Sequence, residues 1–207
     1  MTIKAIIFDL GGVILDLRFS RMVEQFESLG IQDFAQYFNL KNQDSLFQKQ
    51  ELGLNSDAQF FADFRQLTQS ELTDQQIEST WNLILGDFDK ARMDLLTELS
   101  ADYSLYLFSN TNSLHARCFE KRCLEQIGRS LDSYFEKAYY SHELHLRKPT
   151  VESFEEILQQ SKLQAAQTLF VDDNADNIAG AKTAGLQTYH LQAPESLIDL
   201  DFQKITQ

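Results

Sequence analysis

The clearest structural signal in the sequence is the segment Ile3-Lys4-Ala5-Ile6-Ile7-Phe8-Asp9-Leu10-Gly11-Gly12. It begins as a nearly continuous apolar run, which is the pattern of a strand covered on both faces. The run ends at the carboxylate of Asp9 and breaks into two glycines, whose small backbone lets an anion approach closely. We therefore expect Asp9 at the mouth of a sheet, where it can bind a hard metal ion, attack phosphorus, or do both.

Strand and helix patterns alternate through the later part of the chain. Apolar strand patterns cover 103–109, 137–140, 168–172 and 187–190, and helical patterns lie at 90–99, from 113, at 151–161, at 175–184 and from about 195. Such alternation predicts parallel strands joined by helices on both faces of one sheet. The expected fold class is α/β, with a doubly wound parallel sheet formed by residues 1–15 and 90–207.

The segment between those two parts has a different pattern. Apolar residues recur at helical spacing across 17–88, as in Phe60, Phe61 and Phe64. This spacing predicts a bundle of four or five helices without a strand. We therefore assign residues 16–89 to a second, inserted helical domain.

Composition and charge exclude several classes of function. The 207-residue chain is 43% hydrophobic, which indicates a folded globular protein, and its net charge of -13 opposes binding to nucleic acid. The sequence has no 18-residue apolar run and no signal-peptide pattern, so we expect no membrane partner. Cys118 and Cys123 would lie on different sides of a helix, which is poor disulfide geometry. These features predict a soluble cytoplasmic protein, and they leave both a monomer and a homodimer open.

Chemically capable side chains follow the predicted strands. Ligands of open parallel sheets bind beyond the carboxyl ends of the strands, so the residues at those ends should meet at one edge. They are Asp9, Gly11 and Gly12 after the first strand, Ser109 and Asn110 after the second, Lys148 before a helix, and Asp172 and Asp173 after the fourth. Each residue alone is explained as well by a turn or a helix cap. Their joint placement favours a site for phosphate and a metal ion.

The motifs resemble those of the haloacid dehalogenase (HAD) superfamily of hydrolases. The resemblance rests on four segments: Phe8-Asp9-Leu10-Gly11-Gly12-Val13, Phe108-Ser109-Asn110, Arg147-Lys148-Pro149 and Phe170-Val171-Asp172-Asp173-Asn174. The helical insertion resembles the small helical cap of that superfamily. The segments after Ser109 and Asp172 are especially similar to a bacterial branch that includes phosphatases acting on α-D-glucose 1-phosphate.

The resemblance implies a role for each of these residues. Asp9 would be the nucleophile that forms an aspartyl-phosphate, and Lys148 would neutralise charge between it and the phosphate. Mg²⁺ would be the cofactor, held by Asp9, the carbonyl of Gly11, Asp172 and Asp173. The phosphoryl oxygens would be bound by Ser109, Asn110, Lys148 and backbone amides at Gly11 and Gly12.

Gly11 departs from the family pattern. Many phosphatases of the superfamily carry a second aspartate two residues after the nucleophile, as a general acid and base. Such help is typically worth about 10²–10⁴ in rate, so its loss predicts slow turnover or a narrow substrate range. Asp16, Glu51 and His115 are the candidates for a substitute. A sugar 1-phosphate has a better leaving group than a plain alcohol, which would reduce the defect.

The inserted domain is expected to set the substrate. Gln48, Glu51 and Trp81 are candidates for facing it, although a core position is the more ordinary role for Trp81. Glu51-Leu52-Gly53 resembles a recurrent cap turn, and His115 lies close enough in sequence to Ser109 to touch substrate. We interpret His142 and His145 as structural, because two histidines without further ligands seldom bind metal.

The expected function is Mg²⁺-dependent hydrolysis of a small phosphomonoester, in particular a sugar phosphate such as a hexose 1-phosphate. One alternative is dehalogenation of a 2-haloacid on the same fold, although the acidic pair Asp172-Asp173 suits a cation better than a metal-free site. The other is a protein that binds a phosphorylated ligand without hydrolysing it.

Overall fold

The strand Ala5–Phe8 (β1) lies at the centre of a five-stranded parallel sheet in the computed structural model, which describes residues 2–38 and 45–206. The sheet order is β5-β4-β1-β6-β7. The other strands of this sheet are β4 (Ser104–Ser109), β5 (Lys137–Tyr140), β6 (Thr168–Asp172) and β7 (Gln187–His190). The predicted α/β class with a doubly wound parallel sheet is therefore confirmed.

The register of the sheet aligns the ends of its three central strands. Phe8 pairs with Leu107 of β4 on one side and with Val171 of β6 on the other. The amide of Asp9 continues the ladder by donating to the carbonyl of Val171 at 2.9 Å. Asp9 and Asp172 therefore leave neighbouring strands at the same level, which is how the sheet brings two carboxylates together.

Helices cover both faces of this sheet because its strands are apolar on both faces. They are α5 (Lys90–Leu99), α6 (Ser113–Ile127), α7 (Ser141–Leu144), α8 (Val151–Gln160), α9 (Ala175–Thr183) and α10 (Phe202–Ile205). Ile7 packs with Phe154 and Ile178 on one face, whereas Ile6 and Phe8 belong to the larger cluster on the other. This alternation follows the two-residue period of a strand.

The inserted segment contains four helices among its described residues. They are α1 (Phe19–Ser28), α2 (Ser45–Glu51), α3 (Asp57–Thr68) and α4 (Asp74–Trp81). Start signals in the sequence explain two of them, since Ser56 and Thr73 each accept a hydrogen bond from a first-turn amide. Phe26, Phe47 and Phe64 pack between the helices as part of an aromatic cluster.

The expectation that this segment has no strand is wrong. Leu15–Leu17 (β2) and Leu85–Phe88 (β3) pair antiparallel where the chain leaves the parallel sheet and returns to it. Both strands are too short for a period of two to be read from the sequence, and they are stabilised by each other across a long loop. The division into residues 1–15 with 90–207 and residues 16–89 stays a prediction.

Two further elements differ from the sequence prediction. The short helix α7 was not expected, because four residues carry no helical period. A single helix from about residue 195 was expected, but the structure has a 3₁₀ turn at Leu197–Asp199 and then α10, which Asp201 caps. Cys118 and Cys123 are free thiols, in agreement with the prediction. No helix among residues 2–38 and 45–206 is long and apolar enough to cross a bilayer.

Candidate active site

Asp9 and Lys148 form a buried ion pair at the carboxyl end of β1. The Nζ of Lys148 lies 2.7 Å from Oδ1 of Asp9, and the amide of Leu10 donates to the same oxygen at 2.7 Å. Both donors approach Oδ1, so the orientation of the carboxylate is fixed by the strand end and by the lysine together. Oδ2 is the oxygen that these contacts leave to face a ligand.

Lys148 is buried with only 1% of its surface exposed. Its ammonium also contacts Oδ2 of Asp172 at 2.8 Å, so one buried cation faces two carboxylates. Burial alone would lower the pKa of Lys148, but the charges of Asp172 and Asp9 outweigh it and raise that pKa. Lys148 therefore keeps its charge at neutral pH, and a buried charge of this kind is costly unless it stays paired.

The backbone at Lys148 is held by the side chain of Asn110. The amide oxygen of Asn110 accepts from the Lys148 amide at 2.9 Å, and its Nδ2 donates to the Lys148 carbonyl at 2.9 Å. One step along, Ser141 Oγ accepts from the amide of Thr111 and donates to its carbonyl, both at 2.9 Å. The end of β4 is thereby fastened to the loop that carries the lysine.

Asp172 is fully buried, and its carboxylate is saturated with donors. The amide of Asn174 donates to Oδ1 at 2.8 Å, and Nδ2 of Asn177 lies 3.1 Å from both oxygens. With Lys148 added, these contacts make Asp172 the residue that positions the lysine. Asn177 lies on the first turn of α9, and the sequence analysis did not assign it a part in the site.

The carboxylates of Asp9, Asp172 and Asp173 form one cluster, with ligand atoms within 4.8 Å of one another. Burial first, and then the charges of Asp172 and Asp173, raise the pKa of Asp9 to about 7 against the opposing charge of Lys148. Partial burial and the charge of Asp172 also raise the pKa of Asp173. Mutual repulsion of this kind is relieved by a cation, and a set of hard oxygen donors suits Mg²⁺.

Gly12 is required for the position of Asp173. Its φ of +75° lies in the left-handed region, and a Cβ atom at this position would collide with the carboxylate of Asp173. The absence of a side chain at Gly12 thus lets Asp173 approach Asp9. This packing is the physical reason for the second glycine after the strand.

A cavity of about 900 Å³ opens above these groups. Of the sequence-predicted site residues, those that line the cavity are Asp9, Gly11, Ser109, Asn110, Lys148 and Asp173. Asp172 and Gly12 lie behind this wall. A ligand in the cavity therefore meets Asp9 and Asp173 directly, and it meets Asp172 only through Lys148.

His115 and Trp81 form a stacked pair in the wall of the cavity, with ring centroids 4.9 Å apart. Burial lowers the pKa of His115 to about 4, so its ring is neutral at physiological pH. Nδ1 lies 3.1 Å from the amide nitrogen of Asn112, and Nε2 lies 3.3 Å from the carbonyl of Trp81. These contacts require Nε2 to carry the proton and Nδ1 to accept. A ring held in this way is a poor replacement for a general acid.

The helical segment touches the loop before Lys148 at one corner. Glu51 pairs with Arg147 at 2.8 Å, and Nδ1 of His145 donates to the carbonyl of Leu52 at 2.8 Å. Gly53, with φ of +64°, lies so close to the carbonyl of His142 that a Cβ atom would collide with it. Glu51 and Arg147 both line the cavity. His145 and His142 therefore make structural contacts, in line with their interpretation from the sequence.

The remaining residues considered from the sequence lie elsewhere. Asp16 is exposed and pairs with Arg92 at 2.7 Å, outside the cavity wall. Gln48 is exposed on α2 and is also absent from that wall. Arg147 lines the cavity as well and was not assigned a role from the sequence, although it directly precedes Lys148 and that adjacency was a usable signal.

The family model and the relatives that match this chain all describe hydrolases. A family model described as a haloacid dehalogenase-like hydrolase matches residues 3–185. D-ribitol-5-phosphate phosphatase from Bacteroides thetaiotaomicron is 32% identical over 187 residues, which cover 90% of this chain and 91% of that protein. Sesquiterpene phosphatase astK from Aspergillus oryzae is 29% identical over 207 residues, covering 92% of this chain and 90% of its own.

Solved structures that are similar to this chain come from the same family of hydrolases. A HAD family enzyme from Bacteroides thetaiotaomicron, determined as a mutant with magnesium and inorganic phosphate, superposes with a TM-score of 0.90. It is 33% identical, and the match covers 94% of this chain and 96% of that one. A HAD-like hydrolase from Porphyromonas gingivalis also gives a TM-score of 0.90, with 31% identity and complete coverage (100%) of both chains.

Proposed function

Because the chain belongs to the haloacid dehalogenase-like hydrolase family, we propose that its cavity hydrolyses a small sugar phosphate, with a hexose 1-phosphate as the specific candidate. The protein is a Mg²⁺-dependent phosphatase, that is, a phosphoric monoester hydrolase. The proposal concerns the substrate and the role of each residue in that reaction.

The main support for this proposal is the position of Asp9 in the cavity. The carboxylate of Asp9 is aimed into a cavity by Lys148 at 2.7 Å, and Asp173 lies beside it within the same acidic cluster. Phosphoryl transfer needs an in-line nucleophile and compensation of negative charge more than it needs covalent chemistry from the protein. This cluster offers a nucleophile, a fixed cation and ligands for a second cation within one wall.

The roles of the residues follow from their contacts. Asp9 would attack phosphorus through Oδ2, because Oδ1 is occupied by Lys148 and the Leu10 amide. Lys148 would favour the ionised form of Asp9 and attract the phosphoryl group. Ser109 and Asn110, which border the cavity at the end of β4, would bind the phosphoryl oxygens. Water would then release phosphate from the aspartyl-phosphate and restore Asp9.

Mg²⁺ would be held by Asp9 and Asp173, with the Gly11 carbonyl and Asp172 completing the predicted set. When bound, it supplies positive charge for the phosphoryl oxygens and relieves repulsion among the carboxylates. Since the oxygens of Asp172 already accept from Lys148, Asn174 and Asn177, its contribution is expected through Lys148. Of Asp172 and Asp173, Asp173 is therefore the acid whose loss should weaken metal binding more.

The polar part of the cavity wall supports a hydroxylated substrate. Glu51, Arg147 and Asn112 also border the cavity. Carboxylate, guanidinium and amide groups recognise hydroxyl groups through hydrogen bonds. The similarity to a D-ribitol-5-phosphate phosphatase supports the same class of compound, and the similarity to a sesquiterpene phosphatase justifies an apolar phosphate as a comparison substrate.

The cluster of Asp9, Asp172 and Asp173 disfavours both alternative functions, 2-haloacid dehalogenation and binding of a phosphorylated ligand without hydrolysis. A 2-haloacid carries its own carboxylate, so a metal-free site with three acids would repel it. A 2-haloacid dehalogenase from Pseudomonas syringae is similar with a TM-score of 0.56 at 19% identity, which shows a shared fold alone. A protein that only binds a phosphorylated ligand has no need for a carboxylate aimed by Lys148 into the cavity.

The experiment is phosphate release from a panel of hexose, pentitol and terpenoid phosphates, with Mg²⁺ and with EDTA. We expect Mg²⁺-dependent release from a sugar phosphate, and loss of release in Asp9→Asn. Asp102→Asn is the matched control, because Asp102 is exposed before β4, at the opposite end of the sheet. The proposal is rejected if Asp9→Asn equals the parent, if EDTA has no effect, or if only a 2-haloacid is converted.

A further inference from the structure

Gly11 is a glycine for reasons of space and not of backbone conformation. Its φ lies outside the left-handed region, whereas the φ of Gly12 is +75°. An ideal Cβ on Gly11 would lie 3.1 Å from Cδ1, 3.3 Å from Cδ2 and 3.4 Å from Cγ of Leu17. The isobutyl group of Leu17 therefore occupies the space into which a side chain at position 11 would extend.

Leu17 is held in that place by the short antiparallel sheet. It pairs with Leu85 of β3, and the next amide, that of Arg18, donates to the carbonyl of Ile84 at 2.7 Å. Leu17, Leu85 and Ile84 all line the cavity together with Asp9. Leu17 is 37% exposed, and it lines the cavity, so a ligand there can contact its side chain.

We infer that Leu17 determines which leaving groups the site accepts: phosphate esters whose leaving oxygen departs without receiving a proton. The inference rests on the proposed function and specifies its substrate class. A hydrocarbon group beside the nucleophile can neither donate a proton nor hold a water molecule there. The hydroxyl group released must therefore be more acidic than that of a simple alcohol, as are an anomeric hydroxyl, an enol and a phenol.

The other acids and bases considered for this role are engaged elsewhere. Glu51 is paired with Arg147 at 2.8 Å, and both ring nitrogens of His115 contact Asn112 or Trp81. Asp16 pairs with Arg92 outside the cavity wall. The contacts of these residues thus give the leaving oxygen no proton donor to replace the one that Leu17 excludes.

The chemical balance of the step is simple. An oxygen of Asp9 forms a bond to phosphorus while the bond from phosphorus to the ester oxygen breaks. That bond's electron pair stays on the ester oxygen, which leaves as an oxyanion and takes a proton from solvent outside the site. Water then attacks the phosphorus of the aspartyl-phosphate, the phosphorus bond to Asp9 breaks, and the water proton is lost to solvent.

The first test needs no variant. The parent enzyme is assayed with a hexose 1-phosphate and the 6-phosphate of the same hexose. It is also assayed with a series of substituted phenyl phosphates that release phenols of different acidity. We expect kcat/KM to fall steeply as the leaving group becomes less acidic, and the 1-phosphate to exceed the 6-phosphate at least about tenfold. Equal rates for the two hexose esters with a flat phenyl series would overturn the inference while leaving the proposed function intact.

A second test replaces both Gly11 and Leu17. In the double variant Gly11→Asp with Leu17→Ala, a carboxyl group replaces the isobutyl group, so the dependence on leaving-group acidity should flatten. The gain for the 6-phosphate should reach up to about 10²-fold, at the lower end of general acid catalysis. Gly11→Asp alone should gain little, because Leu17 still fills the space. Leu54→Ala is the matched control, since Leu54 is 64% exposed and does not line the cavity.

The outcomes separate the two claims. If no ester releases phosphate and Asp9→Asn behaves like the parent, the proposed function fails. If phosphate is released but the double variant keeps the steep dependence of the parent, the role of Leu17 is refuted. If Gly11→Asp alone gains as much as the double variant, the space beside Gly11 is open and the inference is also refuted.

Discussion

At the scale of single residues, the centre of the site is an unbalanced set of charges. Lys148 is the ammonium that faces the carboxylates of Asp9 and Asp172, and Asp173 adds a third acid nearby. The pKa of Asp9, raised to about 7, is the direct consequence of burial beside these acids. The site is thus built to hold a cation, and it stores unfavourable repulsion until one binds.

Replacement of Asp9 by asparagine should stabilise the metal-free protein at alkaline pH. The pKa of Asp9 in the folded state, about 7, lies above its ordinary value of 3.8, so the folded protein keeps a proton that the unfolded chain loses. That contribution to stability is present at low pH and is lost as pH rises through about 7. Asparagine mimics the protonated acid at every pH.

The free energy of unfolding of Asp9→Asn should therefore exceed that of the parent by more at about pH 8 than at about pH 5. Urea unfolding in EDTA measures both proteins at both pH values, with Asp102→Asn as the control that shifts neither. A difference that shrinks as pH rises would contradict the raised pKa of Asp9.

The affinity for Mg²⁺ should rise with pH, whereas the contribution of Asp9 to the stability of the metal-free protein falls. Protons compete with the metal for Asp9, whose pKa is raised to about 7, so affinity should rise between pH 6 and pH 7 and level off above. One competing proton limits the change to about tenfold per pH unit. Isothermal titration calorimetry measures it, together with proton release on binding. A constant affinity across this range would show that Asp9 is already ionised without metal.

The sequence predicted most of the charged residues, because each follows a strand or a helix start that has a readable pattern. Asp9, Lys148 and Asp173 were all expected at one edge, and the structure brings them together. It did not reveal how tightly His115 is buried, nor that Asn177 holds Asp172. Both depend on packing between elements distant in the chain, which no local pattern encodes.

At the scale of elements, two of the contacts between the helical segment and the rest of the chain lie at the cavity wall. One is the pairing of β2 with β3, which places Leu17 beside Gly11. The other is the corner at which Glu51 and Gly53 meet the loop before Lys148. The first was missed because two strands of this length show no period, whereas the Glu51-Leu52-Gly53 turn was noticed through resemblance alone.

Substitution of Gly53 by alanine should weaken this corner. Gly53 has φ of +64°, and a Cβ atom would also collide with the carbonyl of His142. Gly128 has φ of +81° with open space around it, so Gly128→Ala reports the cost of backbone strain alone. We expect about 1 kcal/mol of destabilisation for Gly128→Ala and a clearly larger loss for Gly53→Ala. Denaturant unfolding of both variants measures the difference, and equal losses would mean that the corner is not packed as described.

At the scale of the whole molecule, the order of strands explains why a site forms at all. β1 lies between β4 and β6, so the residues that follow these three strands converge although they are far apart in sequence. The fold class was predictable because parallel strands with helical crossovers alternate along the chain. The family was predictable from four short motifs, and the match to the family model over residues 3–185 confirms it. The substrate was not, since it depends on a cavity assembled from several elements.

Mass analysis of the enzyme, stopped with acid during turnover of a sugar phosphate with Mg²⁺, shows directly whether Asp9 is the nucleophile. We expect the peptide containing Asp9 to gain the mass of one phosphoryl group, and this gain to be absent in Asp9→Asn and in EDTA. Acyl phosphates survive brief acid treatment, so a covalent intermediate that accumulates is retained. Continued release of phosphate by an enzyme that never carries this group on Asp9, even in a single turnover, would show that Asp9 is not the nucleophile.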